Sequence, residues 1–195
     1  VFTAGPDAED HNCHAVLWSK KSFAGTMKVS FEFTRLDSIN RFVNIIYFQA
    51  NGTGEGPYQK DIHAWQELRK TPFMKTYFEN MDLLHVSFAA FGNDNDDPED
   101  YIRVRRYPVR QDRSFDQIEV EPTIFNTDLF LPNKTVELCF IKTQNDLALE
   151  ITGGESPFYH HWDLSGVDPT FNGPIGIRQM WQKCSKYKNI KIFTA

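Results

Sequence analysis

The sequence predicts an all-β protein, built as an antiparallel β-sandwich of the jelly-roll type. Short alternating or apolar runs recur along the chain, and clusters rich in Gly, Asn, Asp and Pro separate them. Helical periodicity is scarce, and residues 61–70 form the best short helical candidate. Many short strands at this spacing favour a sandwich over an alternating α/β fold. In chain order, the predicted strands are residues 25–34, 42–50, 83–91, 101–107, 117–121, 135–143, 147–152, 175–180 and 189–194.

Composition narrows the class of protein. With 195 residues, 41% of them hydrophobic, the chain is expected to fold as one domain over residues 1–195. The net charge of −5 argues against a nucleic-acid partner, and the absence of a long apolar run argues against membrane insertion. A secreted or periplasmic protein is expected for two reasons. The sequence starts without Met, as a trimmed mature chain does, and it has glycosylation-like motifs at Asn51 and Asn133. Cys13 and Cys184 lie near opposite ends of the chain, and whether they form a disulfide stays open.

Residues 101–107 are the most informative part of the chain for function. Given the two-residue period of a strand, one face combines two phenols with two guanidinium groups. These residues are Tyr101, Arg103, Arg105 and Tyr107. Guanidinium groups bind planar anions, and flat side chains stack on sugar rings, so this face suits an acidic glycan. The alternative is a solvated strand whose arginines pair with nearby acids.

The preceding predicted strand, residues 83–91, supplies a second polar face. Its core face is Leu84, Val86, Phe88 and Ala90, and its other face is His85, Ser87, Ala89 and Phe91. Only an acidic loop separates this strand from residues 101–107, so the two are expected to form a hairpin. In that pairing His85 and Ser87 lie on the same face as Arg103 and Arg105.

Several stretches resemble a known family. Gly-Pro-Ile-Gly-Ile-Arg-Gln-Met-Trp at 173–181, with Ser-Lys-Tyr-Lys-Asn-Ile-Lys-Ile-Phe at 185–193, resembles the closing strands of concanavalin-A-like lectin/glucanase sandwiches. Residues 47–65, His-Val-Ser-Phe at 85–88 and Tyr-Ile-Arg-Val-Arg-Arg-Tyr-Pro at 101–108 resemble its YesU-like branch. The resemblance spans most of residues 25–193 and implies a concanavalin-type jelly roll. Relatives of this architecture include sugar-binding modules, glycoside hydrolases and polysaccharide lyases.

The favoured function is lyase-type β-elimination on a uronate-containing polysaccharide. Such a reaction requires neutralisation of the sugar carboxylate, a base for the adjacent C–H and an acid for the leaving oxygen. Arg103 or Arg105 would neutralise the carboxylate, assisted by an amide of the 42–50 strand. A histidine would be the base and a tyrosine the acid. The expected catalytic residues are His85, Tyr101 and Arg103, and the expected substrate-binding residues are Asn44, Gln49, Tyr58, Lys60, His63, Arg105 and Tyr107.

Other functions and sites stay open from the residues alone. A carbohydrate-binding protein without catalysis would use the same groove. A glycoside hydrolase would use Glu119 and Glu121, which a regular strand places on one face roughly 6.5–7 Å apart, although this pattern is also common on solvent faces. The glycine-rich loop 52–63 is expected to bring Tyr58, Lys60 and His63 towards a ligand. No cofactor is expected; the acidic loop 92–100 could hold a structural Ca²⁺, but it lacks EF-hand spacing and a solvated turn is favoured.

Overall fold

The protein is made of two six-stranded antiparallel sheets, and the computed structural model describes residues 1–93 and 99–195. Short 3₁₀ turns cover His11–Cys13, Ile62–Trp65 and Glu67–Arg69. The other elements are β1 (Phe2–Thr3), β2 (Ala15–Trp18), β3 (Phe23–Ala24), β4 (Met27–Arg35), β5 (Asn44–Gly52), α1 (Met74–Asn80), β6 (Met81–Ala90), β7 (Tyr101–Tyr107), β8 (Glu119–Phe125), β9 (Thr135–Lys142), β10 (Asp146–Thr152), β11 (Phe158–Asp163), β12 (Asn172–Gly173), β13 (Gly176–Gln179) and β14 (Cys184–Thr194).

The two sheets follow the jelly-roll pattern that the sequence predicts. The back sheet has the strand order β1-β14-β4-β9-β10-β11, and the front sheet has the order β2-β13-β5-β6-β7-β8. β3 and β12 form a separate two-stranded ribbon. Strands adjacent in each sheet are often distant in sequence, as in the pairing of β14 with β4, so long-range pairing holds both sheets together.

The main hydrophobic core lies between the two sheets. Phe31 and Phe33 of β4 contact Phe88 of β6, with ring centroids 6.1 and 5.1 Å apart, and Phe48 of β5 contacts Phe140 of β9 at 5.4 Å. All five rings are buried. Each such side chain contributes about 1.5–3 kcal/mol through burial, so this layer is the principal source of stability.

A second buried cluster covers part of the outer face of the front sheet. Residues 53–80, here called the cap segment, cross that face and end in α1. Tyr47 of β5 packs against both Trp18 of β2 and Tyr77 of α1, at centroid distances of 5.4 and 6.0 Å. Ile62 and Trp65 of the cap segment are buried in the same cluster. Because both faces of β5 and β6 are covered here, these strands are almost uniformly buried.

The structure corrects several predicted elements. Residues 61–70 form two 3₁₀ turns, while the α-helix lies just beyond them at Met74–Asn80; seven residues are too few to show a clear helical period in the sequence. Ala89 has a φ of +43° at an irregularity in the β6–β7 pairing. The irregularity reverses the expected alternation, so that Ala89 joins the inter-sheet core and Ala90 joins the outer cluster.

Cysteine pairing and the acidic loop are the remaining sequence expectations. Cys13, Cys139 and Cys184 are free thiols in the structure. Cys13 and Cys184, whose pairing the sequence left open, therefore form no disulfide. The candidate Ca²⁺ loop at 92–100 falls mostly on residues 94–98, which lie outside the described part of the chain. No helix among the described residues is long and apolar enough to cross a bilayer.

Candidate functional site

A solvent-accessible cavity of about 590 Å³ lies on the outer face of the front sheet, beside the cap segment. Its floor is formed by β6 and β7. Met74 and Phe78 of α1 form one wall, and Phe42 and Trp181 form another. We call this cavity the groove. Five of the ten sequence-predicted site residues line it, namely His85, Tyr101, Arg103, Arg105 and Tyr107.

The floor has the register predicted from the hairpin. His85 pairs with Arg105 and Ser87 pairs with Arg103 across β6 and β7, so all four side chains lie on the same face. Ser87 is small, which leaves space above the floor next to the two arginines. Its hydroxyl lies 2.9 Å from His85 Nε2, and this contact fixes the orientation of the imidazole.

One carboxylate serves both arginines of the floor. Glu119 of β8 pairs with Arg105 in the sheet register. Its Oε2 lies 3.1 Å from Arg103 Nε, as an ion pair, and accepts from Arg105 Nη2 at 3.4 Å. Thr123 donates its hydroxyl to the other oxygen of Glu119 and accepts from Arg103 Nε at 2.8 Å. Two positive charges facing a single negative charge leave an excess of about one positive charge at the floor. The arginines therefore pair with an acid, as the solvated-strand alternative requires, yet they also line a cavity.

Aromatic rings frame the two guanidinium groups. Arg103 Cζ lies 4.6 Å from the centroid of Tyr101, and Arg105 Cζ lies 4.5 Å from that of Phe115. Cation–π contacts of this kind hold long side chains in a fixed position. The planes of Phe115 and Trp181 border the same cavity. The groove thus combines preorganised cationic donors with flat apolar walls.

His85 and Tyr107 lie at the deepest part of the floor. His85 is 2% exposed, and burial, followed by the charge of Arg105, lowers its pKa well below the usual value, so the imidazole is neutral. Burial also raises the pKa of Tyr107, which keeps the phenol protonated. His85 Nδ1 and the Tyr107 hydroxyl are both buried, and within the described residues neither has a hydrogen-bond partner.

Solved structures with the same architecture are lectin-like. A Bacillus subtilis protein of unknown function with a galectin-like fold superposes with a TM-score of 0.72 at 17% identity, covering 100% of this chain and 88% of the other. The carbohydrate-binding module CBM66 from Bacillus subtilis gives 0.54 at 11% identity, with 100% and 92% coverage. The Ca²⁺-bound exoplasmic/lumenal domain of VIP36 gives 0.59 at 10%, with 93% and 74% coverage. The present chain therefore has a lectin-like β-sandwich fold.

Sequence comparison adds no family to this structural likeness. No protein-family model matches the chain, and no curated protein sequence matches it. At identities of 10–17% the likeness shows the fold alone.

Two predicted substrate-binding amides do not reach the groove. Asn44 and Gln49 belong to β5, but both side chains are fully buried on the inter-sheet side of the front sheet. Asn44 accepts from Ser185 Oγ of β14 at 3.3 Å. Gln49 accepts from Lys142 Nζ at 2.7 Å and donates to the carbonyl of Gly25 at 2.9 Å. The expectation that these amides assist at a sugar carboxylate is wrong. Regular alternation along β5 directs Asn44 into the sandwich, and the positive φ of Gln49 (+51°), at an irregularity in the β5–β6 pairing, directs the second amide the same way.

The predicted rim residues of the glycine-rich loop also lie away from the groove. Tyr58 packs edge-on against Trp65, with centroids 5.3 Å apart, and Lys60 Nζ lies 4.0 Å from Asp82. His63 is half-buried in the cap segment, and none of Tyr58, Lys60 and His63 lines the cavity. The loop does cross the predicted face, but α1 rather than these residues borders the open part.

The geometry does not favour the carboxylate pair of a hydrolase. Glu119 is bound to two arginines, whereas Glu121 is exposed and accepts from the backbone N–H of Thr123 at 3.2 Å. The β7–β8 pairing is irregular between Val120 and Ile124, so the regular alternation that placed both acids on one face does not apply.

Among the described residues, no cluster of three His, Cys, Asp or Glu side chains could hold a metal ion.

Several groove residues escaped the sequence reasoning. Phe42, Met74, Phe78 and Phe115 resemble ordinary core residues, and only the fold brings them to the cavity wall. Among the tryptophans of the described chain, Trp181 lines the cavity. Trp65 and Trp162 are 3% and 0% exposed and are core residues.

Proposed function

We propose that the protein binds an acidic saccharide in the groove, with the sugar carboxylate on Arg103 and Arg105. The observation that carries the proposal is the pairing of two guanidinium groups with a single carboxylate on the floor of an aromatic-walled cavity. The excess positive charge favours an anion, and the rings of Tyr101, Phe115 and Trp181 suit the apolar faces of a sugar. The lectin-like fold supports carbohydrate as the ligand class.

Retention on immobilised glycans tests this proposal. Alginate, glucuronan, polygalacturonate and hyaluronan are compared with a neutral galactan in affinity electrophoresis. We expect retention by at least one uronate polymer and none by the galactan. Arg103→Met should weaken binding about 10- to 100-fold, because it removes a hydrogen bond between charged groups. Arg110→Met is the matched control, since Arg110 is exposed and outside the cavity. Equal retention of both variants, or of the neutral polymer, would refute the proposal.

Lyase-type β-elimination is the second candidate. It is supported by the neutral His85 imidazole, which lies beside Arg105 and Tyr107 on the floor of the groove. His85 and Tyr107 are almost wholly buried, so the reacting C–H would have to enter the deepest part of the floor. The measurement is absorbance from the new carbon–carbon double bond, followed together with reducing ends on the same polymers. Retention with no absorbance change would leave a binding protein without this activity.

We further propose membership of the YesU-like branch and an extracellular or periplasmic location. Support for the first is that the hairpin residues 85–88 and 101–108, which carry the resemblance, form the floor of the groove. Support for the second is the expected ligand, since acidic polysaccharides are mostly extracellular polymers. Fractionation of the producing cells checks the location, and recovery in the cytosol alone would contradict it.

A further inference from the structure

The polar floor of the groove continues beneath the cap segment. Arg178 of β13 pairs with Ile45, Ile45 pairs with Ser87, and Ser87 pairs with Arg103. These four residues therefore form one row across the front sheet, with Arg103 and Arg178 three strands apart, about 14 Å at the backbone. Ile45 and Ser87 line the open groove. Arg178 is the next position in that row, where the cap segment covers the sheet.

Arg178 is a buried cation with incomplete hydrogen bonding. It is 0% exposed, its Nη2 donates to the carbonyl of Pro72, and its Cζ lies 4.7 Å from the ring centroid of Tyr77. Within the described residues, its Nε and Nη1 have no hydrogen-bond partner of good geometry, and no carboxylate forms an ion pair with it. The phenol of Tyr47 also interacts with this guanidinium, but burial raises the pKa of Tyr47 and keeps it neutral, so it supplies no negative charge. A buried guanidinium lacking two partners is costly, and native structures retain few such groups without a reason.

Unpartnered polar atoms gather around Arg178. The Tyr107 hydroxyl, His85 Nδ1 and His14 Nδ1 are buried, and no partner for them occurs in the described part of the chain. The charge of Arg178 contributes, after burial, to the lowered pKa of both His14 and His85. The side chains around this cation therefore stay neutral, and none of them supplies the negative charge that it lacks.

The cover over Arg178 is held by the packing of Tyr77 in the outer cluster rather than by the local stability of its helix. α1 has only seven residues, no side-chain cap at its N-terminus and no acidic residue in its first turn. An isolated helix of this length is unstable in water. Thr71 Oγ1 donates to Asn12 Oδ1 at 2.7 Å, and Val109 donates its N–H to the Phe78 carbonyl at 2.7 Å. Displacement of the Pro72 carbonyl would expose Nε and Nη2, the edge of a guanidinium that binds a carboxylate with two hydrogen bonds.

We propose that Arg178 is a second anion-binding subsite, which receives another carboxylate of a longer acidic saccharide when residues 72–77 move off the sheet. The inference rests on the proposed function of the groove and extends it to chain length. A short oligosaccharide occupies the Arg103–Arg105 floor alone. A longer one continues along the row through Ser87 and Ile45 to Arg178.

Calorimetry with oligogalacturonates of two and six units tests the subsite. The wild-type protein should bind the hexamer at least about tenfold more tightly than the dimer, a gain typical of a hydrogen-bonded charged group. Arg178→Met should remove this preference and leave the affinity for the dimer unchanged, whereas Arg103→Met should weaken both. The matched control is again Arg110→Met. An unchanged hexamer affinity in Arg178→Met, or an equal loss for both lengths, would overturn the subsite.

Two further measurements keep the test informative if a variant misfolds or the sugars fail. Arg178→Met removes a poorly solvated charge, so its melting temperature should equal or exceed that of the wild type, by up to about 4 °C; a lower value identifies a structural arginine and contradicts the proposal. In the wild-type protein, the Arg178 Nε–H resonance should shift with the hexamer and not with the dimer. If none of the four uronate polymers and no oligogalacturonate binds, the proposed function fails, and acetate becomes the probe. A saturable acetate shift at Arg178 would retain the anion subsite, and no shift would refute it.

Discussion

Replacing Glu119 by glutamine should change stability and ligand affinity in opposite directions. Glu119 offsets part of the charge of Arg103 and Arg105 through contacts of 3.1 and 3.4 Å, and these three side chains are only 10–21% exposed. In the proposed complex, the sugar carboxylate uses the same two guanidinium groups. Glu119 therefore stabilises the free protein and repels its ligand.

The magnitudes follow from the geometry. Loss of the carboxylate replaces two charge-assisted hydrogen bonds by weaker amide contacts, which should lower the free energy of unfolding by about 1–3 kcal/mol. A ligand carboxylate on the far side of the arginines would lie roughly 6 Å from that of Glu119, where repulsion amounts to about 0.7 kcal/mol in water and about 3 kcal/mol at an effective dielectric constant of 20. Because Glu119 and the arginines are partly buried, the repulsion should lie between these two values. We therefore expect Glu119→Gln to bind the ligand more tightly by about 1–2 kcal/mol, or roughly 5- to 30-fold in affinity.

Urea denaturation and calorimetry with digalacturonate measure the two effects on the same samples. Glu121→Gln is the control, because Glu121 is exposed and contacts only the backbone of Thr123. The affinity gain should shrink as the salt concentration rises, since screening weakens the repulsion. If Glu119→Gln binds digalacturonate more weakly than the wild type, the ligand does not use the paired arginines and the reasoning fails.

Three other features give direct predictions. Burial lowers the pKa of His14 to about 2, so between pH 6.5 and about pH 2 the unfolded state binds the proton more readily than the folded state. The free energy of unfolding should fall by about 1.4 kcal/mol per pH unit in this window, and His14→Gln should remove that contribution from a urea titration series. Gly173→Ala should destabilise the protein by about 1–3 kcal/mol in denaturation, because φ is +149° and a Cβ would lie 2.5 Å from a backbone oxygen, whereas Gly166→Ala, with open space around it, should have little effect. Cys13 and Cys184 should both react with a thiol reagent after unfolding without reductant; a mass corresponding to a disulfide between them would contradict the structure.

The floor of the groove was predictable because it depends on local rules. Strand alternation and one short connection suffice to place His85 and Ser87 beside Arg105 and Arg103. The same rules, applied to the next strand, could have found Glu119, which follows in the adjacent hairpin and pairs with Arg105. The identity of the fold was likewise accessible, since each strand carries its own period and turn residues.

The errors arise where the chain departs from regular geometry or folds back over itself. Positive φ values at Gln49 and Ala89 break the alternation in β5 and β6, and no residue type at these positions announces such a conformation. The sequence does not indicate which part of the sheet the cap segment covers, so it could not show that Tyr58 and Lys60 lie away from the groove. The position of Arg178 depends on a strand that is far from the groove hairpin in sequence.

The irregular edge of the front sheet has a consequence for solubility. β8 is an outermost strand of this sheet, and Pro122 in its middle has no N–H to offer to a further strand. Its carbonyl is already taken by the indole N–H of Trp162 at 2.8 Å, and the ladder with β7 is interrupted at the same place. A second copy of the chain therefore finds no continuous edge along β8 on which to add a strand. The break that misplaced Glu121 in the sequence reasoning thus protects an exposed margin of the sandwich from edge-to-edge aggregation.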